Sequence, residues 1–156
     1  MVRSAYPATV LEVLDDEIVY SDELLCVLRI FAASNPWRGS IETRKRKFSD
    51  VNRMLARTCG IQTPTLGFGF LDGSNSGASH YILRDHCIVL TGKLSVVTFL
   101  HEFAHALGLD EEEACRWSIN LFRRCFPRQY SRLIHVGHTL VRPQDISATL
   151  TGKSVR

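Results

Sequence analysis

The chain has 156 residues, 45% of them apolar, and a formal net charge of +3. That length and composition predict one domain, over residues 1–140, with enough core to fold without staples and with no internal repeat. No apolar run is long enough to span a bilayer and no basic leader with a hydrophobic centre opens the chain, so the expectation is a cytoplasmic protein with no membrane partner.

In chain order, the first 20 residues could add a short helix. Asp22 to Ser34 (DELLCVLRIFAAS) predicts a helix capped by Ser21 or Asp22, with Leu24, Leu25, Leu28 and Phe31 as its apolar positions. It should end before Asn35 and Pro36, because the residue before a proline leaves helical geometry. A second helix is expected over Ile41–Thr58, with Gly60 past its end and Phe48, Val51 and Leu55 facing inward. Arg44, Lys45, Arg46 and Lys47 are consecutive on it, and Arg53 and Arg57 follow. Such a cluster could meet a phosphate backbone or an acidic partner, which makes a nucleic-acid or protein-binding module on the basic helix 41–58 the alternative function. Without interleaved aromatics the plainer reading is a solvated helix face.

Gly67–Leu71 and His80–Leu90 predict strands, the second bent into a hairpin at Arg84, Asp85 and His86, with the GSNSG run from Gly73 to Gly77 as a loop between them. His80 and His86 are read as surface residues beside turns, the other reading being that they line a cleft. The five cysteines, Cys26, Cys59, Cys87, Cys115 and Cys125, are odd in number and form no C-x-x-C pair. They read as reduced thiols in the core, not as a zinc ribbon.

Leu94 to Leu107 (LSVVTFLHEFAHAL) predicts a buried helix, with Ser95 as its cap and Gly108 as a left-handed stop. It carries His101, Glu102 and His105 in the pattern H-E-x-x-H. Residues four apart lie one above the other on a helix, so His101 and His105 can place two imidazole nitrogens on one zinc ion, with Glu102 beside it as general base. Three polar side chains in an apolar helix each need a partner, and one metal would satisfy all of them.

A catalytic zinc takes three protein ligands and leaves a position for water. Glu111 is the expected third ligand, on a helix capped by Asp110 and running to about Phe126. Ala114, Trp117, Ser118, Leu121 and Cys125 should share its face, Glu112 should point to solvent, and Glu113 is the capping partner of Asp110 and the second choice of ligand. Downstream, His135 and His138 form an H-x-x-H pair and are further ligand candidates. One of these histidines, or Tyr130, could instead stabilise an oxyanion. Residues 141–156 are expected to be a loose tail.

These motifs carry a family resemblance. HEFAHALG followed by Glu111 matches the metzincin pattern as far as Gly108, with a glutamate where that clan has its last histidine, and the run Glu111 to Ala114 resembles the E-x-x-A of gluzincins. The chain's only methionines, Met1 and Met54, lie upstream of the motif, which departs from the metzincin pattern. Over about residues 79–127 the chain is similar to the ImmA/IrrE-like zinc peptidases, with Glu111, Glu113, Ala114, Trp117 and Pro127 at matching places and Cys115 at that family's asparagine. A ligand from a downstream histidine, as His135 or His138 would supply, is the arrangement of Spartan-like proteases.

The resemblance implies a zincin-like α+β fold, with helices packed on a small, mostly antiparallel sheet and the H-E-x-x-H helix at its centre. It implies a Zn2+ cofactor and hydrolysis of a protein or peptide substrate, including a narrow-specificity, regulatory version of that activity. In such peptidases an edge strand often holds an extended substrate through its backbone.

Overall fold

In the computed structural model the described residues are Leu14 and residues 17–74, 79–136 and 139–141. Helix α1 (Asp22–Ala33) is capped by Ser21, whose hydroxyl accepts from the Leu24 N–H, and α2 (Ile41–Cys59) is capped by Ser40 and stopped by Gly60 at φ 68°. A three-stranded sheet follows from β1 (Thr65–Phe68), β2 (His80–Ile82) and β3 (Cys87–Leu90). Then come α3 (Val96–Ala106), α4 (Glu111–Cys125), α5 (Pro127–Ser131) and the antiparallel hairpin of β4 (Ile134–Val136) and β5 (Thr139–Val141). Among the described residues, no helix is long and apolar enough to cross a membrane.

The chain is α+β, but its sheet is mixed and not mostly antiparallel. The strand order is β1-β3-β2, with β1 parallel to β3 and β2 antiparallel to it. The first strand occupies Thr65–Phe68 and not Gly67–Leu71, because its register is set by pairing with β3 over Thr65↔Cys87 to Phe68↔Leu90. Ile88 and Leu90 are fully buried while Cys87 and Val89 are half-buried, the alternation of a strand with one face on the core. The expected hairpin is present, and His86 holds its turn. At φ 47° its ring reaches Tyr81 Oη through Nδ1 and the Gln62 carbonyl through Nε2, both at 2.6 Å. It is therefore half-buried and structural, not a bystander on the surface.

Helix α3 lies on β3 and β2 and packs against α4. Its inward residues Phe99, Leu100 and Phe103 are fully buried. Phe99 meets Phe48 of α2 edge-on at 5.7 Å, and Phe48 meets Phe31 of α1 at 5.3 Å, so one aromatic column joins three helices. Each such pair adds about 0.5–1.5 kcal/mol beyond its buried area. Phe103 stacks on Trp117 at 6.3 Å, and the Tyr20 hydroxyl donates to the Trp117 carbonyl at 2.8 Å, which fixes the roll of α4 against α3.

The basic helix is not a bare charged face. The Arg44 guanidinium donates to the carbonyls of Pro36 at 3.0 Å and Leu94 at 2.8 Å, tying α2 to the entrance of α3. Lys47 donates to the carbonyls of Asn35 and Arg38, Lys45 pairs with Glu42 and lies over the Phe68 ring, and Arg53 pairs with Asp50. Arg46 and Arg57 are exposed.

The cysteines depart from the sequence reading. All are free, but only Cys115 and Cys125 are buried, Cys59 and Cys87 are half-buried, and Cys26 is exposed. Cys26 lies beside the inward residues of α1 in sequence yet faces outward, because neighbours on a helix differ by about 100°. The helix foreseen in the first 20 residues falls largely outside the described residues, as does the tail after Val141, and Val141 itself belongs to β5.

Candidate metal centre

The centre begins with helix geometry. Ser95 caps α3 through its hydroxyl, which accepts from the Thr98 N–H at 3.3 Å, and the helix then carries His101 and His105 one turn apart. Their ring centroids are 4.8 Å apart and their Nε2 atoms 3.2 Å.

The turn after the helix does two jobs. Gly108 sits at φ 89°, a left-handed conformation that a residue with a Cβ adopts only under strain, and its N–H donates to the His105 carbonyl. The chain reverses there, and the Leu109 carbonyl lies 2.9 Å from His105 Nδ1. A carbonyl can only accept, so the hydrogen bond places a proton on Nδ1, and in the neutral ring the Nε2 lone pair then faces away from it.

Asp110 then caps α4 by accepting from the Glu113 N–H at 2.8 Å, and Glu111 occupies the first helical position. From there its carboxylate spans both imidazoles, with Oε1 2.9 Å from His101 Nε2 and Oε2 2.8 Å from His105 Nε2. Two imidazole nitrogens and a carboxylate, all lone-pair groups, thus converge on one point. Facing lone pairs repel unless a proton or a cation lies between them.

Bonds of about 2.0–2.1 Å to a tetrahedral ion would hold neighbouring ligand atoms about 3.3 Å apart, so the donor set needs only a small expansion to fit a metal. His101 and His105 side chains are 20% and 21% exposed and Glu111 35%, so the cluster is open to solvent on one side.

Glu102 lies beside this cluster and is buried. Burial pushes its carboxyl up to about 7; the charge of Glu111 pushes the same way, while His105, His80 and a hydrogen bond from the Tyr81 backbone N–H oppose it. A carboxyl held near neutrality can take or release a proton there. The Tyr81 contact places Glu102 against β2, which pairs only with β3 among the described residues and so offers an outer edge.

Cys115, one turn beyond Glu111, completes the group. His101, Glu111 and Cys115 present ligand-type atoms within 4.8 Å of one another and could hold a metal ion. Cys115 Sγ lies 3.8 Å from His101 Nδ1 and 3.9 Å from Glu111 Oε1. Burial, followed by the charges of Glu111 and Glu102, pushes its thiol up to about 11, so without a metal it is a neutral thiol. The short approaches are those among His101 Nε2, His105 Nε2 and Glu111, and Cys115 stands behind them.

The structure therefore brings together His101, Glu102, His105 and Glu111. Glu113 is exposed on the first turn of α4, where its N–H serves the Asp110 cap. Tyr130 packs against the Cys115 and Ile119 side chains. His135 lies on β4, and His138 lies outside the described residues. Sequence reasoning missed Cys115, although its spacing from Glu111 equals that of His105 from His101. His80 is exposed, as its reading as a surface residue has it, and its charge also acts on Glu102. No family model, curated protein or solved structure matches this chain.

Proposed function

We propose that the protein is a zinc-dependent peptidase, a compact zincin-like enzyme in which His101, His105 and Glu111 hold the ion and Glu102 moves the proton. The observation that carries this reading is the convergence of two imidazole Nε2 atoms and one carboxylate, at 2.8 to 3.2 Å from one another, next to a buried carboxyl. Two nitrogens and an oxygen are a donor set that zinc accepts in hydrolases.

When bound, the ion would polarise the scissile carbonyl and acidify the attacking water. The residues of the chain do the rest. Glu102 takes a proton from the water as its oxygen bonds to the carbonyl carbon, and returns that proton to the amine nitrogen as the C–N bond breaks. The Leu109 carbonyl holds the His105 ring in the tautomer that presents Nε2. An extended peptide added along the outer edge of β2 would lie beside Glu102, which suits a substrate gripped by its backbone more than by its sequence. A protein that cleaves a single partner fits the same site.

The alternative, a binding module on the basic helix, has fewer free donors than the sequence suggests, since Arg44 and Lys47 are bonded to carbonyls. The test is elemental analysis with a peptide-mixture digest read by mass spectrometry, on wild type and Glu102→Gln. Wild type should hold about one zinc and cleave; Glu102→Gln should keep the metal and lose about 10²–10⁴-fold in rate. Hydrolysis at the wild-type rate in Glu102→Gln would sink the assignment.

A further inference from the structure

Cys115 is buried beside the centre, and the proposed mechanism does not use it. It sits on α4 one turn after Glu111, so the two side chains leave the same face of the helix. Across the helix interface its sulfur meets His101 Nδ1 at 3.8 Å, the ring nitrogen on the far side from the converging Nε2 atoms, and it meets Glu111 Oε1 at 3.9 Å.

Each neighbour has one role to fill. If His101 presents Nε2 to a metal as a neutral ring, its proton is on Nδ1, and the Cys115 sulfur lies within hydrogen-bonding reach of it. Glu111 Oε1 is an acceptor that gains from a donor. A thiol offers one weak S–H donor and a sulfur acceptor, so one side chain can serve both at once. His105 has a different support, the Leu109 carbonyl at 2.9 Å. The two histidines thus have separate outer partners, one supplied by the turn and one by α4.

We propose that Cys115 is a positioning residue for the metal centre: its thiol accepts from His101 Nδ1–H and donates to Glu111 Oε1, locking a ligand of α3 to a ligand of α4. This rests on the zinc-site reading above. The thiol touches no substrate and is not itself a ligand. Its effect is to hold the two ligands in the geometry the ion needs before the ion arrives. Outer partners of this kind are worth about 10- to 100-fold in metal affinity.

The test is zinc affinity by chelator competition on full-length wild type, Cys115→Ser, Cys115→Ala and Cys115→Val, with thermal midpoints of the metal-free proteins measured alongside. Visible and near-ultraviolet spectra of the cobalt-loaded proteins complete the set. Affinity should fall about 10- to 100-fold in Cys115→Ala and Cys115→Val, and by less in Cys115→Ser, whose hydroxyl keeps a donor and an acceptor. Cys115→Val keeps the site filled, so an affinity loss without a lower metal-free midpoint separates positioning from packing. The cobalt d–d bands should shift in the variants, with no thiolate-to-cobalt charge-transfer band in wild type.

Folded Cys115→Ala and Cys115→Val proteins that bind zinc within twofold of wild type would overturn the inference and leave the zinc site standing. A charge-transfer band lost with Cys115 would overturn it by making the sulfur a ligand. A wild-type protein that binds no zinc would remove the site reading and this inference together.

Discussion

Arg44, Lys45, Arg46 and Lys47 on α2, and His101, Glu102 and His105 on α3, are both tight clusters of polar side chains in the sequence. Folding treats them differently. Successive residues on a helix are turned by about 100°, so four consecutive cations point in four directions, and Arg44, Lys45 and Lys47 find three different sets of partners while Arg46 faces solvent. Arg44 reaches back to the Pro36 and Leu94 carbonyls, Lys47 to Asn35 and Arg38, and Lys45 to Glu42. His101 and His105, one turn apart, share a direction and meet at 3.2 Å. Spacing matched to the helical period builds a site, whereas mere adjacency builds a helix with tethers. The two regions are also joined, since Arg44 anchors the carbonyl just before the cap of the histidine helix.

The comparison breaks most directly at the histidines. His105→Ala removes one of three converging donors, and metal content should fall from about one ion per chain to near none while the protein stays folded. Elemental analysis with circular dichroism checks both halves. Full zinc occupancy in the variant would mean that the ion sits elsewhere.

The basic helix supplies the next effect. Arg44→Ala should cost about 1–3 kcal/mol through its two lost carbonyl bonds, lowering the thermal midpoint by several degrees. Arg46→Ala, on an exposed side chain, should stay within about 0.5 kcal/mol. If both variants kept their midpoints and lost salt-sensitive binding to duplex DNA, the helix would be an interface after all and the contrast would collapse.

A smaller effect is expected at the turn. Gly108 has open space where a Cβ would go, so Gly108→Ala meets no clash and the cost comes from the backbone at φ 89° alone, about 1–2 kcal/mol. Because the same turn delivers the Leu109 carbonyl to His105, zinc affinity should fall with stability. Chemical denaturation and chelator competition on the one variant would show whether the two losses travel together.

What could be read from the sequence was local. Ser95, Asp110 and Gly108 mark helix ends by chemistry acting within a few residues, and each stands where its type predicts. Glu111 meets the two histidines because turn and cap leave it little choice of direction. The strands were less legible. β1 and β2 are four and three residues long, and the place of β1 depends on a partner about twenty residues away. The β4–β5 hairpin was not foreseen, and a mixed sheet cannot be told from an antiparallel one by alternation alone. Cys115 was read as one more core thiol because its contact with His101 exists only once α4 has rolled onto α3, a matter of the Phe103–Trp117 stack and not of any local pattern. His86 was missed for a similar reason, its partner Gln62 being 24 residues away.

His101, His105 and Glu111 fall within eleven consecutive residues. Loops of about ten residues close in roughly 10–100 ns in an unfolded chain and lose little entropy on closing. The three donors therefore meet often before any core forms, and a metal that the proposed site binds would also be held, less tightly, by the denatured chain. Metal held by both states stabilises the native state by less than its native affinity implies. Its larger influence would fall on folding kinetics, where an ion captured at the proposed site would fix the α3–α4 corner early and give the distant aromatic column of Phe31, Phe48 and Phe99 a seed to condense upon.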